Sequence, residues 1–265
     1  MKIDVLGVKI NSDDKNTILF MIKKLLGERQ KIFITTPYSE MLVAAQKDKK
    51  FCDILNSSTF ALPDGIGVLW AAHYLKYRKF LPGLLSIIFR PRTIRDPIPD
   101  KISGSDFVWD LTRLAEDRGY SVFLLGGFGD TPQLVAKKFQ KKFPNLKIAG
   151  AYSGLSFAEK AGSEMTEKAI QAISKSQADF LFVALGPIRQ EKWIYENLSN
   201  LSVKLAIGLG GTFDYLAGKR VLAPQIWASS GLEWLWRLIT QPWRIWRVSR
   251  GVLGLIWYSV RKALC

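Results

Sequence analysis

Between Ala178 and Trp193 the chain carries a stretch that few folds can accommodate. Asp179-Phe-Leu-Phe-Val-Ala-Leu185 is a short unbroken apolar run, the pattern of a strand covered on both faces in a parallel sheet. Gly186-Pro187 ends it, because neither residue suits a strand interior. Ile188-Arg-Gln-Glu-Lys-Trp193 then reads as the first turns of a helix. An open parallel sheet binds its ligand beyond the carboxyl ends of its strands. Arg189, Gln190, Glu191 and Lys192 are therefore candidate binding groups, with a solvated helix start as the bland alternative.

The same strand–turn–helix pattern recurs. Lys31–Thr35 is a strand leading through Thr36-Pro37-Tyr38-Ser39 into a helix that runs to about Lys50. Thr59–Pro63 is a second, ending in Asp64-Gly65-Ile66-Gly67 before a helix from Val68 to about Tyr77. Asp64 is thus a carboxylate at a strand's carboxyl end, followed by glycines that permit close approach of a ligand; helix capping is the other reason for an Asp there. Ser103–Asp106 opens a helix to about Arg118, and Ser121–Leu125 ends in Gly126-Gly127-Phe128-Gly129 before a helix over Thr131–Phe143. Leu146–Ala149 and Val203–Leu209 are further strands, with a polar helix over Ala158–Ser174, and the last strand enters Gly210-Gly211-Thr212-Phe213-Asp214. This alternation predicts an α/β fold with a mostly parallel, Rossmann-like doubly wound sheet. Its strand ends deliver Thr36, Asp64, Gly126, Gln190 and Asp214 to one rim, which points to an enzyme. The glycine loop lacks the full dinucleotide fingerprint and its acidic ribose ligand, which argues against a nucleotide-cofactor oxidoreductase.

A formal net charge of +15 over 265 residues calls for a polyanionic partner. Lys76 to Pro99 gathers Lys76, Arg78, Lys79, Arg90, Arg92 and Arg95 around an apolar patch, Phe80–Phe89, too short to span a bilayer. Six of the nine tryptophans lie from Trp227 onward, and Glu233 is the sole acid from Gly231 to Cys265. On a helical wheel Leu232, Leu235, Trp236, Ile239, Trp243 and Trp246 share a face opposite Arg237 and Arg244, with Pro242 dividing the segment. Tryptophan with arginine suits an interfacial membrane helix; docking onto the protein's own core, or burial between copies in a homo-oligomer, would also cover it. The division expected is a catalytic domain over 1–224, with 76–99 as an excursion, and a membrane-docking tail over 225–265. No helix-turn-helix or aromatic–basic RNA motif is present, so nucleic acid is not an expected partner. His73 is the single histidine, and Cys52 and Cys265 form no metal or disulfide motif. The amino-terminal stretch, interrupted by Asp4, Asp13 and Asp14, does not read as a secretory signal, and a cytoplasmic setting is expected.

Asp64-Gly-Ile-Gly67, Gly104-Ser-Asp106, Gly186-Pro-Ile-Arg-Gln-Glu-Lys-Trp193, Gly210-Gly-Thr-Phe-Asp-Tyr-Leu-Ala-Gly-Lys219, Ala223-Pro224 and Gly231-Leu-Glu-Trp-Leu-Trp-Arg237 occur in this order. Together they resemble the WecG/TagA/CpsF glycosyltransferases, bacterial enzymes that add a sugar to a polyprenyl-diphosphate-linked saccharide. The resemblance implies inverting, metal-independent transfer of an N-acetylmannosamine-type or related hexose from a UDP-sugar co-substrate, with no cofactor. The acceptor it implies is an undecaprenyl-diphosphate-linked saccharide, and the location the cytoplasmic face of the plasma membrane, on an anionic surface. It makes Asp64 the general base, with Thr36 and Gln190 lining the same pocket. Asp214 then lies near the nucleotide, and Arg237, Arg244 and Arg247 close over the site. Tyr38, Gly65, Lys101, Gly104, Gly126, Gly127, Arg189, Glu191, Lys192, Gly210 and Gly211 complete the expected binding set. The sequence departs from the family's pattern in three places: Tyr38 stands where an Asn is common, Lys101 where an arginine usually precedes Gly104, and Lys76–Pro99 is longer than the usual connection. A non-catalytic membrane- or polyanion-binding protein is the rival reading.

Overall fold

The computed structural model describes residues 1–80, 91–153, 163–221, 227, 236, 239–240 and 245–264. The chain forms two compact units, each drawn from separated segments: Met1–Ile18, Thr36–Ser103 and Leu222–Cys265 make the first, Leu19–Thr35 and Gly104–Val221 the second.

The second unit holds the parallel sheet. Its strands are β3 (Ile32–Thr35), β5 (Ser121–Gly126), β6 (Lys147–Tyr152), β7 (Phe180–Ala184) and β8 (Leu205–Gly208), running side by side in the order β3-β8-β7-β5-β6. Between them lie helices α5 (Gly104–Arg118), α6 (Thr131–Lys142), α7 (Ser163–Ser176) and α8 (Arg189–Asn197), and the short α9 (Thr212–Leu216) comes after β8. Every residue of β7 and β8 is buried, as their unbroken apolar runs require. From β5 the chain steps outward to β6, then returns past β5 to β7 and continues to β8. Right-handed crossovers therefore place α6 on one face and α7 and α8 on the other, the doubly wound arrangement. Gly150 on β6 makes room for the ring of Phe123, whose atoms a Cβ there would meet at 2.5 Å. At the opposite, amino-terminal rim, Asp179 accepts from the Ser121 amide at 2.9 Å and from Lys204 at 2.6 Å, stitching β5, β7 and β8 together.

The first unit begins with an antiparallel hairpin, β1 (Lys2–Val5) and β2 (Val8–Asn11). Its two-residue turn holds both Leu6 and Gly7 at positive φ. Helix α1 (Lys15–Gly27) carries the chain into the second unit, and α2 (Ser39–Lys47), α3 (Lys49–Ser57), β4 (Phe60–Ala61) and α4 (Ile66–Tyr77) belong to the first. The helix expected from Ser39 to about Lys50 is α2, which ends at Lys47; α3 was not expected, and it starts at once because the chain is extended at Asp48, whose carboxylate accepts the Phe51 amide as its cap. Within 76–99, residues 81–90 lie outside the described part. Pro91–Ile94 is a 3-10 turn; Ile94 at its end and Ile98 beyond it are buried. Asp96 pairs with Lys76 at 2.9 Å and with the hydroxyl of Tyr77, both at the end of α4.

Most of the expected tail wheel falls outside the described residues, Arg237 and Arg244 included. The chain ends in one helix, α10 (Ile245–Leu264), to which Arg247 belongs, packed on α2 and α4. Its packing face is small. A Cβ on Gly251 would meet Glu40 Cγ at 2.6 Å, and one on Gly254 would meet Val43 at 3.0 Å. Leu255 is fully buried beside Gly67, so the docking onto the protein's own core that competed with membrane contact is realised on this face. Another face is bare: Trp246 is 73% exposed and Trp257 64%, with Leu253 and Leu264 also exposed. These four lie within about 40° on the helical wheel.

Candidate active site

In the second unit the strand order reverses between β5 and β7, and a crevice beyond the carboxyl ends of such a pair is where open α/β sheets bind ligands. The backbone there is drawn tight. The amide of Gly127 donates to Ala184 O at 2.9 Å, and a Cβ on Gly126 would stand 2.5 Å from that same oxygen. Gly126 and Gly127 sit at φ +95° and +78°, so both the close approach and the torsions require glycine. The loop then exposes Phe128 and enters α6 through Thr131. Lys219, reaching back from beyond α9, donates to Asp130 at 2.6 Å and to the Thr131 hydroxyl at 2.9 Å. That lysine holds the Asp130 carboxyl below its ordinary pKa.

The turn after β7 is under strain. Gly186 lies at φ +84°, and Ile188, a β-branched residue, at φ +70° and ψ −48°. Of the four polar residues opening α8, Arg189 is exposed and Lys192 half-buried, whereas Gln190 and Glu191 point inward and are buried. Glu191 Oε2 accepts the Ile188 amide at 2.7 Å, Glu191 Oε1 accepts Gln190 Nε2 at 2.7 Å, and Gln190 Oε1 accepts the Gly210 amide at 2.8 Å. Burial raises the Glu191 carboxyl to about 7, against the lowering effect of these bonds. Gly208 leaves the space: a Cβ there would stand 2.7 Å from both Gln190 Nε2 and Glu191 Oε1. Gly210 and Gly211 lead into α9, where Asp214 pairs with Arg220 at 3.1 Å.

In the first unit, the Asp64 amide donates to Pro37 O at 3.0 Å and the Ile102 amide to Pro63 O at 2.8 Å. Three expected stretches, Thr36–Tyr38, Asp64–Gly65 and the one holding Lys101, are thus laid side by side by backbone bonds. Thr36 is buried, while Asp64, Gly65, Tyr38 and Lys101 are half-buried. Gly65 is the N-cap of α4 at φ +96°, with open space where a Cβ would be; the torsion alone demands glycine. The Tyr38 hydroxyl lies 3.3 Å from Glu40. Gly104 is buried at the start of α5, in the second unit. Among the described residues no group of three or more His, Cys, Asp or Glu is placed to hold a metal ion.

The profile of the glycosyl transferase WecG/TagA/CpsF family matches residues 3–83 and 85–265, nearly the full chain. The chain belongs to this family. It is an enzyme of the hexosyltransferase class. The N-acetylglucosaminyldiphosphoundecaprenol N-acetyl-β-D-mannosaminyltransferase of Bacillus subtilis (strain 168) is 32% identical over 235 residues, covering 89% of this chain and 82% of that protein. The protein of the same name from Staphylococcus aureus (strain MRSA252) is 24% identical over 267 residues, covering 99% and 93%. For this glycosyltransferase the structure adds residues that sequence reasoning assigned no role. Gly208 makes room for the buried pair, and Lys219 braces the glycine loop. Lys219 closes one of the family's motifs, and that was its only signal; for Gly208 there was none.

Proposed function

We propose that the protein transfers an N-acetylmannosamine-type or related hexose from a UDP-sugar to an undecaprenyl-diphosphate-linked saccharide, with inversion and without a metal, in the making of a bacterial surface polymer or teichoic acid. The observation that carries this reading is the near full-length family match, with relatives named for such an acceptor. In the reaction the acceptor hydroxyl attacks the anomeric carbon and gives its proton to the Asp64 carboxylate. The bond from that carbon to the diphosphate breaks, and UDP departs with its electrons. Thr36 and Gln190 orient the sugar, and Asp214 holds the nucleoside side. Arg237, Arg244 and Arg247 offset the charge growing on the diphosphate, for which forked guanidinium donors are suited.

A lipid-linked acceptor asks the enzyme to work at a bilayer. No helix among the described residues is long and apolar enough to cross one. The bare stripe of α10, with exposed Arg250 and Arg261 beside it, supports peripheral attachment to an anionic cytoplasmic face. The test is release of UDP from a panel of UDP-sugars with a polyprenyl-diphosphate-GlcNAc analogue in detergent and chelator. Acceptor-dependent release is expected from the wild type and none from Asp64→Asn, with UDP binding kept by both. UDP release by Asp64→Asn at the wild-type rate would remove Asp64 as base. Vesicle binding with no release from any donor would favour a non-catalytic membrane protein.

A further inference from the structure

We infer that Glu191 is a positioning residue that acts through Gln190, fixing which way the Gln190 amide faces and tying the turn after β7 to the loop entering α9. The inference rests on the transfer reading above only in taking Gln190 as part of the site.

A carboxyl group with no solvent exposure is costly to keep, and among the described residues no cation pairs with Glu191. Packing alone would be better served by an apolar side chain of similar size. What the carboxylate supplies is two acceptors: Oε2 takes the amide of Ile188, the N-cap of α8, as the third helical residue does in a capping box, and Oε1 takes Gln190 Nε2, which a cap alone does not require. The first bond holds Ile188 in a torsion that a β-branched residue avoids, and such strain persists only where the surroundings enforce it. The second bond chooses between the two orientations of the Gln190 amide. Turned over, the side chain would set its NH2 against the Gly210 amide, donor on donor in either protonation state of Glu191, and its oxygen against the ionised Glu191 carboxylate, acceptor on acceptor. Glu191 from one side and Gly210 from the other therefore leave Gln190 a single orientation, with one N–H of Nε2 and one lone pair of Oε1 to offer in fixed directions. Gly208 shows that the β8 backbone is cut back for this pair, since any side chain there would strike both partners.

The experiment compares the wild type, Glu191→Gln, Gln190→Ala and the double variant, reading donor kcat and KM together with hydrogen exchange at the Gly210 and Ile188 amides. Glu191→Gln keeps the shape but sets an NH2 against one of the two donors. Losing one charge-assisted bond should lower kcat roughly 10- to 100-fold while KM changes little. If Glu191 acts through Gln190, the double variant is no slower than Gln190→Ala, and Gly210 exchange accelerates in Glu191→Gln. Wild-type kcat in Glu191→Gln, or losses that multiply in the double variant, would overturn the inference. Should the wild type transfer no sugar, the transfer reading fails by itself, and unchanged Gly210 exchange in Glu191→Gln would still refute the positioning role. Should Glu191→Gln not fold, Gly208→Ala crowds the same two atoms from β8 and is expected to reproduce the kinetic loss; wild-type kcat in it would refute the role as well.

Discussion

If the bare stripe of α10 meets lipid, its two tryptophans should dominate the attachment, and the cost of removing them can be worked from their exposure. A tryptophan buries roughly 200 Å² when covered. Trp246 at 73% and Trp257 at 64% exposure therefore each retain about 130–150 Å² to bury. At about 25 cal/mol per Å² that is a ceiling of about 3.5 kcal/mol apiece. A helix lying in the interface immerses only one side, so about half is realised, some 1.5 kcal/mol or close to tenfold in partition coefficient for each. The double variant Trp246→Ser/Trp257→Ser should thus bind vesicles rich in anionic lipid about a hundredfold more weakly by cosedimentation. Its melting temperature should stay near that of the wild type, because neither side chain lies on the face packed against α2 and α4. Partitioning within threefold of the wild type would refute the assignment of this face to the membrane.

Gly126→Ala combines a disfavoured torsion with a Cβ 2.5 Å from Ala184 O, and should cost about 3 kcal/mol or more in denaturant unfolding; a loss below 1 kcal/mol would mean the β5–β7 approach can relax. Glu191 gives stability a pH dependence of definite sign. Its carboxyl rises from an ordinary 4.5 to about 7, so the folded protein binds the proton more tightly between those values and stability falls as pH rises through about 7. The neighbouring β3, β7 and β8 carry no ionisable side chain, and the other charged residues of α8 are Arg189, Lys192 and Glu196. Unfolding free energies at pH 5 and pH 8 should therefore differ by up to about 3 kcal/mol more in the wild type than in Glu191→Gln, and parallel profiles would contradict this.

The parallel sheet was legible because β5, β7 and β8 are continuous apolar runs ended by glycine, a pattern that burial on both faces imposes. The amino-terminal hairpin was not, because its turn puts Leu6 in a left-handed conformation that sequence preference assigns to Gly or Asn. Helix α3 was missed because the polar run Gln46–Lys50 reads as the end of a helix; Asp48, which accepts the Phe51 amide, starts another at once. Arg189, Gln190, Glu191 and Lys192 were read as one polar set because charge ordinarily marks a surface. The fold splits them, turning Gln190 and Glu191 inward, since an amide, a backbone N–H and a missing side chain on Gly208 together make a polar pocket. Ile188 and Gln190 are sequence neighbours of Glu191, but Gly208 lies on another strand, and nothing local announces its meeting with them.

The interleaving of the two units sets an order of assembly. On the ribosome the second unit has all its strands once Val221 is out, while the first still lacks α10, the helix that packs on α2 and α4. At roughly 5–20 residues per second the hairpin, α2 and α4 must wait seconds for their last partner. During that interval the faces α10 will cover, around Glu40, Val43 and Gly67, are open to other apolar surfaces. When the final helix arrives it closes them with its glycines and turns its tryptophans outward. Attachment to lipid through that stripe is thus reserved for chains whose first unit is already whole.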